Sequence, residues 1–279
     1  MKIRSILLLF FSLFIILSAK TEKVKSSDGV PIAYTLDGKG EIALVFIHGW
    51  SCDKSFWSEQ VKTFSKICRV VTLDLAGHGE SGKQRKEYTV QLFGDDVAAV
   101  VNKLKLNSVI LVGHSMGGVV SIEAANKLKG KVIGLIGADT FQNLGETLPA
   151  DQVEPFLKPF QDDFVGNTKN FVKMMFPANA DTNLVKKVSK KMSSAPPKIA
   201  ISAMRNMLKD NGIAALKELS VPIVSINCDR YPIKVQQNMK LVKSYKLKMM
   251  EGYGHFIMLE NPKKFDELLN EAVIDLSGM

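Results

Sequence analysis

Four short apolar runs restrict this chain more than any other feature. Ile42–Ile47, Arg69–Leu73, Ser108–Val112 and Val132–Ala138 are almost continuously hydrophobic, and each is followed by turn or glycine residues. Runs of that length suit strands buried on both faces, as in a parallel sheet. Between them lie stretches with helical spacing, Phe56–Phe64, Val90–Leu104 and Met116–Leu128. A strand signal at Ile32–Leu36 precedes the series. Repeated strand–helix units predict an α/β fold, a parallel sheet with helices on both faces.

The alternation stops after Val132–Ala138. From Phe141 to about Ala215 the pattern is helical and rich in Met and Phe, with no core strand. A structureless insert of that length is improbable, so residues 141–215 read as a helical cap. The core then comprises 20–140 and 216–279. Its second part holds a strand at Pro222–Asn227, a helix near Lys234–Val242 and a strand at Tyr245–Met250. A last helix is N-capped by Asn261, with Pro262 as its first residue.

Residues 1–19 stand apart. Lys2 and Arg4 precede an apolar run from Ile6 to Leu17, followed by Ser18 and Ala19. This is the layout of a signal peptide, and the run falls short of the ~20 residues of a membrane span. Leu17 is a poor match to the small residue expected before a cleavage site, which leaves an uncleaved membrane anchor as the alternative. Either way an exported protein is expected, periplasmic or secreted, with membrane contact only through this segment. The formal net charge is +9. The lysines Lys186, Lys187, Lys190 and Lys191 alternate with apolar positions and read as a solvated helix face rather than a nucleic-acid site. The three cysteines, Cys52, Cys68 and Cys228, fit no disulfide framework and are expected free.

The chemistry starts at Gly113-His114-Ser115-Met116-Gly117, a G-x-S-x-G sequence between a buried strand and a helix. A serine on such a sharp turn is lifted clear of the sheet, and small flanking residues let the chain pass. A hydroxyl needs a base to become a nucleophile. Of only four histidines, His48 sits at a strand end, His78 in a glycine turn, and His114 beside the serine. His255, in the loop after the last strand, is the remaining candidate base. An acid must orient it. Two follow a strand between Ser115 and His255: Asp229, preferred for its place after the penultimate strand, and Asp139. The oxyanion donors are expected to be the backbone amides of Met116 and of Trp50, in the loop after Ile42–Ile47. Trp50, His114, Phe141 and Phe256 are expected around the substrate pocket. No cofactor is expected: no two histidines stand at ligand spacing, and no G-x-G-x-x-G follows a strand.

These residues together resemble the α/β-hydrolase superfamily. The resemblance rests on His48-Gly49-Trp50, Asp74-Leu75-Ala76-Gly77-His78-Gly79-Glu80-Ser81, Gly113-His114-Ser115-Met116-Gly117-Gly118 and Gly254-His255-Phe256. It implies an eight-stranded, mostly parallel sheet, a cap over the pocket, and a structural role for Asp74 and His78. Relatives often carry Gly-x-x-Asp after the penultimate strand. Here Asn227-Cys228-Asp229-Arg230 brings the acid one residue early, which keeps Asp139 in play. Serine as nucleophile argues against epoxide opening or dehalogenation, which need a carboxylate there. The expected activity is hydrolysis of an ester-like bond in a small apolar molecule through an acyl-enzyme. The alternatives are lactone opening or acyl transfer to peroxide with the same residues, or a ligand-binding role without catalysis.

Overall fold

The computed structural model describes residues 20–210 and 212–278; the expected signal segment at 1–19 lies outside them. In chain order the elements are β1 (Glu22–Lys25), β2 (Pro31–Asp37), β3 (Ala43–Ile47), α1 (Ser58–Phe64), β4 (Arg69–Leu73), α2 (Val90–Lys103), β5 (Val109–His114), α3 (Met116–Lys127) and β6 (Val132–Ala138). The helices α4 (Ala150–Asp162), α5 (Phe164–Met174), α6 (Thr182–Ser193), α7 (Pro197–Lys209) and α8 (Ile213–Glu218) follow. The chain ends with β7 (Ile223–Cys228), α9 (Val235–Leu241), β8 (Tyr245–Met250), α10 (Ile257–Glu260) and α11 (Pro262–Ser277).

The strands form one eight-stranded sheet in the order β1-β2-β4-β3-β5-β6-β7-β8. From β4 through β3 to β8 every pairing is parallel, and β2 runs antiparallel to both its neighbours. The apolar runs of the sequence are its central strands: β3, β5 and β7 are buried along their whole lengths. The pair α2 and α3 packs on one face, and α1 and α11 on the other. Residues Glu22–Lys25 carry no apolar run, and their strand forms by pairing with β2, where the Tyr34 hydroxyl donates to Glu22 at 2.9 Å. Charged side chains suit such an exposed edge.

Between β6 and β7 the described residues form the helices α4 to α8 and their connecting loops, with no strand among them. Two contacts tie this region to the core near β3 and α2: Trp50 Nε1 donates to Ala200 O at 2.7 Å, and Tyr88 N donates to Ser202 Oγ at 3.2 Å. Helix α8 packs against α3, where Asn126 donates to Ala215 O at 2.7 Å. The lysines of α6 lie on its exposed side, and Lys191 pairs with Asp53 of the core. All three cysteines are free thiols, Cys52 and Cys228 buried and Cys68 partly so. Burial pushes the Cys228 thiol up to about 12.

Candidate active site

Ser115 sits between β5 and α3 with φ 52° and ψ −120°, a strained conformation for a residue with a side chain. Its neighbours are glycine for steric reasons. A Cβ on Gly113 would lie 2.3 Å from Gly117 O, and one on Gly117 would lie 2.3 Å from Ile47 O. Gly49 brings the loop after β3 against the same turn: a Cβ there would be 3.2 Å from the Ser115 Cβ. That close approach sets the Trp50 segment beside Ser115. Met116 opens α3, where backbone N–H groups have no partner within the helix.

The four histidines separate cleanly. His48 is buried, accepts from Leu75 N–H at 3.0 Å and faces Gly49 O at 2.8 Å. His78 faces Ala76 O at 3.0 Å, and burial drives its pKa down to about 3. Asp74 is structural too: it accepts from Lys54 N at 2.8 Å and Glu80 N at 2.9 Å. His114 is buried and donates from Nε2 to His255 O at 3.0 Å. Burial, followed by the neighbouring His255, holds its pKa far below the usual histidine value, so it is neutral. His114 lines one cavity that contains Ser115, and His255 lines both.

The partner of His255 differs from the preferred expectation. Its Nδ1 donates to Asp139 Oδ2 at 2.6 Å, with the carboxylate 0% exposed and the imidazole 13%. Asp139 Oδ1 also accepts from Cys228 N at 3.0 Å. Asp229 lies at the surface, where its Oδ1 accepts from Gly252 N at 3.0 Å. The reason is the early position of that acid. Cys228 is still in β7, and its N–H faces the end of β6, supporting Asp139; the next residue turns away to cap the His255 loop from outside. The end of β6 is bent to suit, with Asp139 and Phe141 both at positive φ.

Sequence reasoning missed three interactions around His255. Glu260, on α10, accepts from Gly254 N at 2.9 and 3.0 Å and from Phe256 N at 3.2 Å, bracketing the histidine. Burial raises its pKa although these donors favour the charged form. Met175 O, just after α5, accepts from His255 N at 2.9 Å. Phe176 stacks on Phe256 with centroids 5.1 Å apart and an interplanar angle of 20°. An acid five residues after the candidate base is a usable cue for the first; the other two involve distant backbone or packing.

Two cavities meet at Ser115 and His255. The larger, about 520 Å³, is lined by Met116, Phe141 and Asn143 among others; the smaller, about 160 Å³, by Trp50, His114 and Phe256. The Trp50 ring also packs edge-on against Phe160, Phe164 and Phe171. Among the described residues no group of three or more His, Cys, Asp or Glu side chains is arranged to hold a metal ion.

The chain matches the alpha/beta hydrolase family over residues 44–268 and belongs to it. It is 25% identical over 205 residues, 72% of its own length, to the dihydrolipoyllysine-residue acetyltransferase component of the acetoin cleaving system from Pseudomonas putida. It spans about half the length of that relative, the match covering 50% of it. It is 38% identical over 97 residues to the bifunctional esterase/perhydrolase DCH of Acinetobacter calcoaceticus, covering 34% of this chain and 35% of the other. Among solved structures, Est816, described as an N-acyl homoserine lactone degrading enzyme, superposes with a TM-score of 0.76 and 27% identity, over 90% of this chain and 99% of that one. A thermophilic esterase from Thermogutta terrifontis shares the fold, with a TM-score of 0.80 and 20% identity over 92% and 99% of the two chains.

Proposed function

We propose that the protein is a serine hydrolase that cleaves a carboxylic ester through an acyl-enzyme on Ser115. The observation that carries this reading is the 2.6 Å contact between His255 Nδ1 and the buried Asp139 carboxylate. Because Nδ1 donates there, Nε2 is left as the acceptor, the tautomer a general base requires. Ser115 Oγ attacks the substrate carbonyl while its proton passes to His255 Nε2. The oxyanion is held by the Met116 and Trp50 amides. The bond from the carbonyl carbon to the leaving oxygen breaks, and that oxygen takes the proton from Nε2. Water, deprotonated by the same nitrogen, then releases the acid and restores Ser115.

Lactone opening by the same residues is the second reading, supported by the likeness to Est816. Labelling with a fluorophosphonate tests the common core of both: wild type is labelled at Ser115 and Ser115→Ala is not. Asp139→Asn is expected to lower kcat on p-nitrophenyl esters on the order of 10³–10⁴-fold, by stabilising the wrong tautomer. Asp229→Asn is expected to stay within a few-fold of wild type, because its carboxylate caps a surface turn. The reverse ranking of the two variants defeats the assignment of the acid.

A further inference from the structure

The two cavities are not equivalent, and their difference speaks to the substrate. Both contain Ser115 and His255, and Phe171, Met175 and Met207 form the wall between them. The smaller lobe continues past Cys52, Met192, Met204 and Leu208. All four are apolar, and Met192 and Met204 are buried. The larger lobe continues past Gln142, Asn143, Glu146 and Tyr231. Beside these polar side chains it is also lined by Val119, Ile122, Leu144 and Leu148, so it is mixed where the smaller lobe is almost wholly apolar.

The amides flanking Ser115 belong to residues on opposite sides of this wall: Trp50 lines the smaller lobe and Met116 the larger. A carbonyl oxygen held by both amides sits at the waist, so the two substituents of its carbon point into different lobes. An apolar acyl chain matches the methionine-lined lobe. An alcohol portion that carries hydrogen-bonding groups matches the lobe lined by Gln142, Asn143, Glu146 and Tyr231. Size then limits the chain: an apolar cavity of about 150 Å³ takes one benzene, so about six carbons, and this lobe measures about 160 Å³.

Resting on the serine-hydrolase reading above, we infer that the substrates are acyclic esters of short apolar acids, of about four to six carbons, with a larger hydroxyl- or amide-bearing alcohol portion. The Met204 side chain sets the acyl limit. A small lactone, whose acyl and alkoxy arms form one ring, leaves one of the lobes empty.

The test is a p-nitrophenyl ester series from acetate to dodecanoate, read as kcat/KM relative to butyrate within each preparation, with active sites titrated by fluorophosphonate. Relative values cancel any loss of folded protein. Wild type is expected to peak at four to six carbons and to fall at least tenfold by ten. Met204→Phe shifts the optimum to acetate, and Met204→Ala, which relieves rather than crowds the lobe, shifts it to about eight carbons. Asn143→Leu leaves the acyl profile in place but removes the preference for monobutyrin over ethyl butyrate. Enzyme that is labelled at Ser115 yet shows a flat acyl profile, or one unmoved in both Met204 variants, overturns the lobe assignment alone. γ-Butyrolactone turnover exceeding that of monobutyrin overturns it too. Absence of label at Ser115 removes the serine-hydrolase reading beneath it.

Discussion

At the scale of single residues the candidate site is a set of orientations. Ser115 is held at positive φ by glycines whose substitution would drive a side chain into backbone. His255 is held at both its backbone ends: its N–H by Met175 O, its carbonyl by the His114 ring. Glu260 fixes the amides on either side. Glu260→Gln keeps the shape but loses the charge that receives these N–H groups, an effect of about 1.5–3 kcal/mol for hydrogen bonds to a charged acceptor. We expect kcat to fall by about tenfold with KM nearly unchanged, and the activity to recover in Glu260→Asp only in part. A KM effect with intact kcat would show that Glu260 acts on binding instead. Ser115 and His255 could be found from the chain because each is marked by its immediate neighbours. The choice between Asp139 and Asp229 could not. Both follow a strand, and which one meets the imidazole depends on where β7 ends, at Cys228, and on which way the following residue turns.

At the scale of elements, the helices between β6 and β7 and the candidate base are mechanically joined. The turn after α5 presents Met175 O to His255, the Phe176 ring stacks on Phe256, and Arg230 donates to Met174 O at 3.1 Å. The position of α5 therefore bears on the position of the imidazole. Phe176→Leu keeps most of the buried apolar volume while removing the flat ring contact. Its expected effect is a kcat lower by about tenfold, or about 1.4 kcal/mol in the barrier, with a matching slowing of fluorophosphonate labelling. An unchanged labelling rate would detach the cap from the base. The central strands and long helices were legible because burial on both faces, or on one stripe, leaves a period in the sequence. Strand β1 was not, since an exposed edge needs no apolar pattern and exists through its partner β2.

At the scale of the whole molecule, three buried histidines link stability to pH. Burial lowers the pKa of His48, His78 and His114 below 6.5 in the folded state. An unfolded histidine titrates near 6.5, so acid favours the unfolded chain. Their contribution is complete above that value and is lost as pH falls below it, toward about 3 for His78. Between pH 7 and 5.5 the loss from His78 should be about 1 kcal/mol, and His48 and His114 act in the same direction. Glu123 and Glu260, whose folded-state pKa values are raised by burial, act in the opposite direction. Urea unfolding across pH 7.5–5.5 checks it, and a flat or rising stability on acidification contradicts it.

Sequence alone determined the layers of this protein, the turn that carries Ser115, and the loop that carries His255. Those features are local: an apolar period, a glycine pair, a strand end. The tertiary structure decided everything that depends on two distant segments meeting. It paired His255 with Asp139, brought Glu260 and the Met175 carbonyl to the backbone amides around His255, and divided the pocket into unequal lobes. Each of these follows from how strands terminate side by side and how the helices between β6 and β7 pack against them, and no stretch of contiguous residues encodes that geometry.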